Sequence, residues 1–295
     1  MKNNLIPVLL VVAGEKIHGI KRVITELHDV LGFEDFFVVC PSRDAVIAQR
    51  VVTDISVSVN VLNESALFPD FSYESIKHAL PVNVLNSGVN NIAGWYYQQF
   101  LKMAFSNFIE TEYYLIWDAD TLPLRNFSFG HGGVHYLTQG NEYHCEYFAT
   151  INRLFQSDFS SETSHISQHL LVKTKHMRQL ISDLERPAMM WWQTVLGNLN
   201  GETPFQFSEY ETYASYCLKY FPDEYRSIHR PWFRYGNSYT CTSLEMANVN
   251  SLVKLYDFVA FEHWDHGVLR AARAHAIVFL QRIKILIARL GTVAR

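Results

Sequence analysis

Apolar residues in this chain come in short unbroken runs separated by stretches with helical spacing. Residues 5–12, 35–40 and 113–117 are apolar runs of strand length, and 55–62 alternates apolar with polar positions. Between them, 16–31 and 95–108 carry apolar residues at three- and four-residue intervals, and Gly32 closes the first of these helices. The short apolar run 169–172 leads into a helix over 174–184, and Ser208 opens another. Residues 127–140, rich in glycine and aromatics, predict loops and short strands. Strand and helix alternate over the first half, which predicts an α/β fold with a mostly parallel sheet and helices on its faces. No repeat or Pro/Ser linker interrupts the pattern, so residues 1–265 read as one domain and 266–295 as a C-terminal amphipathic helix.

Composition narrows the class. In 295 residues, 48% are hydrophobic and 18% charged, enough apolar surface for a sizeable core and too little charge for a disordered chain. The cysteines Cys40, Cys145, Cys217 and Cys241 have no Cys-x-x-Cys spacing, which argues against a zinc ribbon or disulfide scaffold and suits a reducing cytoplasm. No apolar run approaches the roughly twenty residues of a membrane span, and the opening run, broken by Pro7, reads as the first core strand. Six of the 25 basic residues follow Asp265 and no acidic residue does, leaving 19 basic against 29 acidic residues in the body. An acidic body argues against nucleic-acid binding.

The candidate chemistry centres on Asp118-Ala119-Asp120, which follows the apolar run Tyr113–Trp117. In an open α/β sheet ligands bind beyond the carboxyl ends of the strands, and two carboxylates so spaced can hold a hard divalent cation that clamps a diphosphate. Upstream, Trp95, Gln98 and Lys102 share one face of the 95–108 helix, where they can stack on, hydrogen-bond to and neutralise a nucleotide diphosphate. Ser208-Glu209-Tyr210-Glu211 carries a capping-box pattern, which gives Glu211 a structural duty and leaves Glu209 available as a general base. His263 and His266 could complete a metal shell or stand on the surface, and His169 could contact a ligand or be a satisfied buried histidine. Trp191-Trp192 reads as a sugar platform or as core packing.

Together, Gly94-Trp95-Tyr96-Tyr97-Gln98-Gln99-Phe100-Leu101-Lys102, Asp118-Ala119-Asp120 and Ser208-Glu209-Tyr210-Glu211-Thr212-Tyr213 resemble GT-A-fold glycosyltransferases, and closer still a little-characterised bacterial group found among genes for surface polysaccharides. The resemblance covers most of residues 5–220. It implies a GT-A-like (Rossmann-like) sheet, with Asp118 and Asp120 binding a divalent metal (Mn2+ or Mg2+) that grips the diphosphate of a nucleotide sugar. It implies a base at Glu209 or Glu211 and a C-terminal histidine on the metal, here His263 or His266; the acceptor contacts, read from the residues themselves, are expected at His169 and Trp192. The resemblance places a base-recognition contact after the first strand; Ala13-Gly14-Glu15 stands there instead of the usual acidic or polar residue, and a UDP-linked donor is the expectation. The implied reaction moves a sugar to a bacterial surface glycan or glycolipid: lipopolysaccharide, O-antigen or capsule.

Two other classes were weighed. A haloacid-dehalogenase-type phosphotransferase also sets Asp-x-Asp after an apolar strand, but it wants Thr or Val where this chain has Leu122, usually uses the first strand and often carries a later Asp-Asp, absent here. A non-catalytic nucleotide- or carbohydrate-binding module is the second. The tail adds a partner. Leu269, Ala272, Ala276, Phe279, Leu280, Ile283, Leu286, Ile287 and Leu290 fall on one helical stripe, with Arg270, Arg273, Lys284 and Arg289 off it. That pattern predicts a helix lying on an anionic membrane, and hence a cytoplasmic enzyme peripheral to the inner face, with packing on the domain or on a second copy of the chain as the alternative.

Overall fold

The computed structural model describes residues 3–140 and 142–293, the last five of these by backbone alone. Strand β1 (Val8–Val11) is followed by a 3-10 turn (Gly14–Gly19) and α1 (Ile20–Leu31), then β2 (Asp35–Cys40), α2 (Ser42–Val52) and β3 (Ser58–Asn63). Three short helices, α3 (Glu64–Leu67), α4 (Tyr73–Ala79) and α5 (Val82–Leu85), lead to the long α6 (Ile92–Phe108) and β4 (Tyr113–Trp117). Short strands β5 (Thr121–Pro123), β6 (Gly130–His131) and β7 (Val134–Thr138) precede α7 (Cys145–Phe155), β8 (His169–Lys173), α8 (Thr174–Leu184) and α9 (Trp191–Gly197). The chain closes with α10 (Glu209–Tyr220), β9 (Tyr225–Ile228), α11 (Gly236–Thr240), β10 (Phe258–Ala260) and α12 (Val268–Val293).

The central sheet runs β3-β2-β1-β4-β8, parallel except for β8, which pairs antiparallel with β4. This is the helix-flanked, mostly parallel α/β sheet expected from the sequence, in the 3-2-1-4 order of doubly wound folds. Alternate strand residues feed opposite faces, as a period of two requires. Leu9, Ile116 and Leu170 join the core under α6, α8 and α9, whereas Val8, Leu10, Leu115, Trp117 and Leu171 join the core under α1. Helix α1 buries Ile20, Val23, Ile24, Leu27 and Leu31 and ends at Gly32, whose φ of 76° is the left-handed cap that glycine adopts without strain.

Several elements differ from the sequence reading. The helix expected over 16–31 begins as the 3-10 turn, because Gly14 (φ +62°) reverses the chain just after β1. The run at 169–172 becomes the antiparallel β8, a direction that periodicity does not encode. Helix α12 packs on the second core through Ala274 and Val278, not through the predicted stripe, whose Leu269, Phe279, Leu280, Ile283, Leu286 and Ile287 stay exposed. The stripe is therefore not the face that packs on the domain, which was the alternative read from the sequence. Leu290, Arg289 and Arg295 of the tail prediction lie outside the residues whose side chains are described. Among the described residues no helix is long and apolar enough to cross a membrane.

Candidate active site

The register of the sheet assembles the site. Strands β1 and β4 are parallel neighbours (Val8 opposite Leu115, Leu9 opposite Ile116), so the turn after β1 and the Asp118-Ala119-Asp120 segment emerge at the same edge. Antiparallel β8 begins there too: Trp117 faces His169, and the Asp118 amide donates to the Gln168 carbonyl at 2.9 Å. Directly after the aspartates, β5 pairs with β10, and the Phe261 amide donates to the Asp120 carbonyl at 2.8 Å, which brings Glu262 alongside.

Each aspartate carries a lysine. Lys102 Nζ, on α6, lies 2.7 Å from Asp118 Oδ1 and 2.7 Å from Glu209 Oε1 at the start of α10. Tyr210 donates its hydroxyl to the same Asp118 oxygen at 2.9 Å, and the Glu209 amide donates to Gln99 Oε1 at 3.1 Å. Lys16 Nζ, from the 3-10 turn, lies 2.7 Å from Asp120 Oδ2. A third acid borders the pair: Glu262 Oε1 accepts from Gln168 Nε2 and from Arg234 Nη2, each at 3.0 Å, and Arg234 also pairs with Glu142.

The electrostatics follow from this crowding. Burial opposes the Lys102 charge, but Asp118 and Glu209 more than offset it and its pKa is raised. Two carboxylates share that one ammonium in a buried site, so Glu209 is also raised, chiefly by burial and further by Asp118, with Lys102 working against both. Burial lifts the Tyr210 hydroxyl well above its usual value, aided by Asp118, so it acts as a neutral donor. Burial and the neighbouring Asp120 push Glu262 up to about 7, against the pull of Arg234. Asp120 drives the raised pKa of Lys16.

The predicted residues separate into those that meet here and those that do not. Lys102, Asp118, Asp120 and Glu209 converge, and Ala13 lies exposed on the same edge. Glu209 is spoken for: its carboxylate is 3% exposed and holds Lys102, so an acceptor hydroxyl could reach it as a base only after that ion pair opened. The Ser208 hydroxyl accepts from the Glu211 amide at 3.3 Å as a cap, yet the Glu211 carboxylate does not return to the Ser208 amide. It accepts instead from Ser164 Oγ (2.9 Å) and the His165 amide (3.1 Å), with His165 Nδ1 at 3.1 Å, which leaves the carboxylate buried and already paired.

Of the α6 face, Trp95 packs edge-on against Phe205 and Tyr96, and the amide that meets Glu209 belongs to Gln99, not Gln98. His169, expected as an acceptor contact, is 4% exposed. It is buried against Trp117 and Phe258, held by Thr138 and Ser167, and kept neutral by burial, which lowers its pKa to about 3. Trp192 sits in the core beside Phe71 rather than presenting a platform. His263 and His266 are exposed, and among the described residues no three His, Cys, Asp or Glu side chains cluster as metal ligands. A cation at this edge would therefore rest on the two aspartates. They suit it: Asp120 Oδ1 is buried without a hydrogen-bond partner, and the side-chain bonds of Asp118 all run through Oδ1. Lys16, Gln99, Tyr210, Arg234 and Glu262 were not singled out from sequence, although Gln99 lies inside the Gly94–Lys102 motif, Tyr210 inside the Ser208–Glu211 motif and Glu262 directly before His263, signals that could have flagged those three.

The chain is similar in structure to mouse xyloside xylosyltransferase 1 in its apo form (14% identity, 89% of this chain and 99% of that one, TM-score 0.49). It is also similar to the galactosyltransferase LgtC in complex with donor and acceptor sugar analogues (12% identity, 92% and 95%, TM-score 0.46). A third similar structure is the bifunctional glycosyltransferase WbbM in its apo form (10% identity, 87% of this chain and 45% of that one, TM-score 0.42). No curated protein sequence matches. A family model described as "Family of unknown function (DUF6492)" matches residues 21–269.

Proposed function

The chain belongs to the family DUF6492, whose description assigns no function, and we propose that it is a glycosyltransferase that moves a sugar from a nucleotide-sugar donor, UDP-linked by expectation, to a hydroxyl of a bacterial surface glycan or glycolipid such as lipopolysaccharide, O-antigen or capsule. The observation that carries the reading is the convergence of Asp118, Asp120, Lys16, Lys102 and Glu209 at the carboxyl edge of the sheet, where α/β folds bind ligands. Asp118 and Asp120 would hold the divalent ion, Mn2+ or Mg2+; when bound it would neutralise charge on the departing diphosphate.

The chain's own residues do the rest. Lys102 fixes Asp118 and offsets its charge, Tyr210 locks the same oxygen, and Glu209 holds the lysine in place, a positioning role rather than that of the base. The exposed stripe of α12 supports a further part of the reading, attachment to the inner face of an anionic membrane, where a lipid-linked acceptor would be met. Arg282 and Lys284 lie exposed beside the stripe, while Arg270 and Arg273 lie over the rings of Trp264 and Tyr235. In this scheme residues 266–295 are the membrane-facing part and 1–265 the catalytic domain. Screening nucleotide sugars for metal-dependent hydrolysis tests the reaction, and hydrolysis that persists in excess chelator would refute the metal assignment.

A further inference from the structure

The two lysines on the aspartates are built differently. Lys102 is 6% exposed in its side chain, bonded to two carboxylates and walled in by α6 and α10. Lys16 is 52% exposed in its side chain, comes from a turn that Ile17 pins to the core, and makes a single ion pair, to Asp120 Oδ2. Its turn is anchored from behind: Gly14, at φ +62°, donates its amide to Asp44 Oδ2 at 2.9 Å, which fixes the backbone from which the half-exposed lysine stem projects. The charged groups facing Lys16 are Asp120, Asp118 and Glu262, all acidic, so its ammonium is drawn toward the site. Asp120 is in the opposite position, mostly buried, with Oδ1 unpartnered and Oδ2 held by this half-exposed cation.

We propose that Lys16 and a divalent cation are alternative partners of Asp120, and that Lys16, displaced by the cation, becomes a ligand of the diphosphate. The proposal rests on the donor-site reading above and deepens it. One ammonium serves twice: on Asp120 it offsets a buried carboxylate, and on the diphosphate it adds a charge-assisted hydrogen bond. Exchange conserves charge at the site, because the incoming cation takes over the carboxylate as the incoming anion takes over the ammonium.

The consequence is a pair of effects with opposite signs, which a merely structural lysine would not produce. Lys16→Met keeps the aliphatic stem and removes the competitor. Without any phosphate ligand it should bind Mn2+ more tightly than wild type, by about two- to fivefold for a pair this exposed, read by electron paramagnetic resonance of the free ion. With Mn2+ saturating, the same variant should bind inorganic pyrophosphate about tenfold more weakly by calorimetry. Pyrophosphate is the probe because its two phosphates are common to all nucleoside-diphosphate donors. Lys16→Arg, which keeps the charge, should stay near wild type in both assays. Unchanged or weaker Mn2+ binding by Lys16→Met, or unchanged pyrophosphate binding, overturns the exchange while leaving the donor site standing. Wild-type protein that binds neither Mn2+ nor pyrophosphate overturns the donor site itself.

Discussion

Replacing Lys102 by methionine probes the centre of the site most severely. The change keeps the length of the stem and removes an ammonium that sits 2.7 Å from each of two carboxylates, with a side-chain exposure of 6%. What remains is Asp118, 20% exposed, and Glu209, 3% exposed, facing one another without a cation and only weakly screened by water. Breaking a buried ion pair from one side costs about 3–5 kcal/mol, and a chain of this size loses about 2–4 °C of melting temperature per kcal/mol, so a fall of roughly 6–20 °C is expected. The sign of the pH dependence is fixed as well. Glu209 already binds its proton more tightly than a free carboxyl, through burial and Asp118, and losing Lys102 strengthens that tendency. A folded state that holds the proton more tightly loses stability as pH rises, so the defect should be milder near pH 5 than near pH 8.

Adding Glu209→Gln to the Lys102→Met protein removes one of the stranded charges and should recover at least about 1 kcal/mol, a coupling that a double-mutant cycle isolates. Circular-dichroism melts of the four proteins measure all of this. A Lys102→Met protein that melts within about 2 °C of wild type at pH 8 would refute the reasoning.

Two further outcomes follow from residues that sequence placed in the site or on the membrane. His169 is held neutral to about pH 3, whereas in the unfolded chain it protonates near 6.5; as pH falls through that window the unfolded state alone takes up the proton, and roughly 5 kcal/mol of stability is lost. Urea titrations of wild type and His169→Phe between pH 7 and 4 should show a flatter pH dependence in the variant, and parallel curves would contradict the assignment. On α12, Phe279→Ser with Leu286→Ser alters only exposed stripe positions and leaves Ala274 and Val278 packed, so the fold should survive while flotation with phosphatidylglycerol vesicles at low salt is lost. Equal flotation of variant and wild type would refute a lipid-facing stripe.

How far the site was legible depends on the range of the interaction. The run Tyr113–Trp117 announced a buried strand because strand burial is local, and its carboxylates emerge where that run stops. Lys102 was legible because it shares a helix with Trp95. The neighbouring choice between Gln98 and Gln99 was not, because α6 is buried nearly all round and no polar stripe marks which side faces α10. Lys16 lies 104 residues from its partner and comes to it only through the parallel pairing of β1 with β4, a fact of topology rather than of pattern. Glu262 arrives through the β5–β10 pair in the same way. His169 and Trp192 show the reverse error: aromatic and histidine side chains suit a sugar site and a core equally well, and here burial decided for the core.

The central claim, that the aspartate edge grips a nucleotide-sugar donor through a divalent ion, is tested most directly by donor turnover in wild type and in Asp120→Ala. Wild-type protein should hydrolyse at least one nucleotide sugar slowly in the presence of Mn2+ or Mg2+. It should stop in excess chelator and resume when the ion is restored, and Asp120→Ala, folded by circular dichroism, should show no turnover with the same donor. Turnover by Asp120→Ala at the wild-type rate, or no turnover of any nucleotide sugar by well-folded wild type with either metal, would contradict the account.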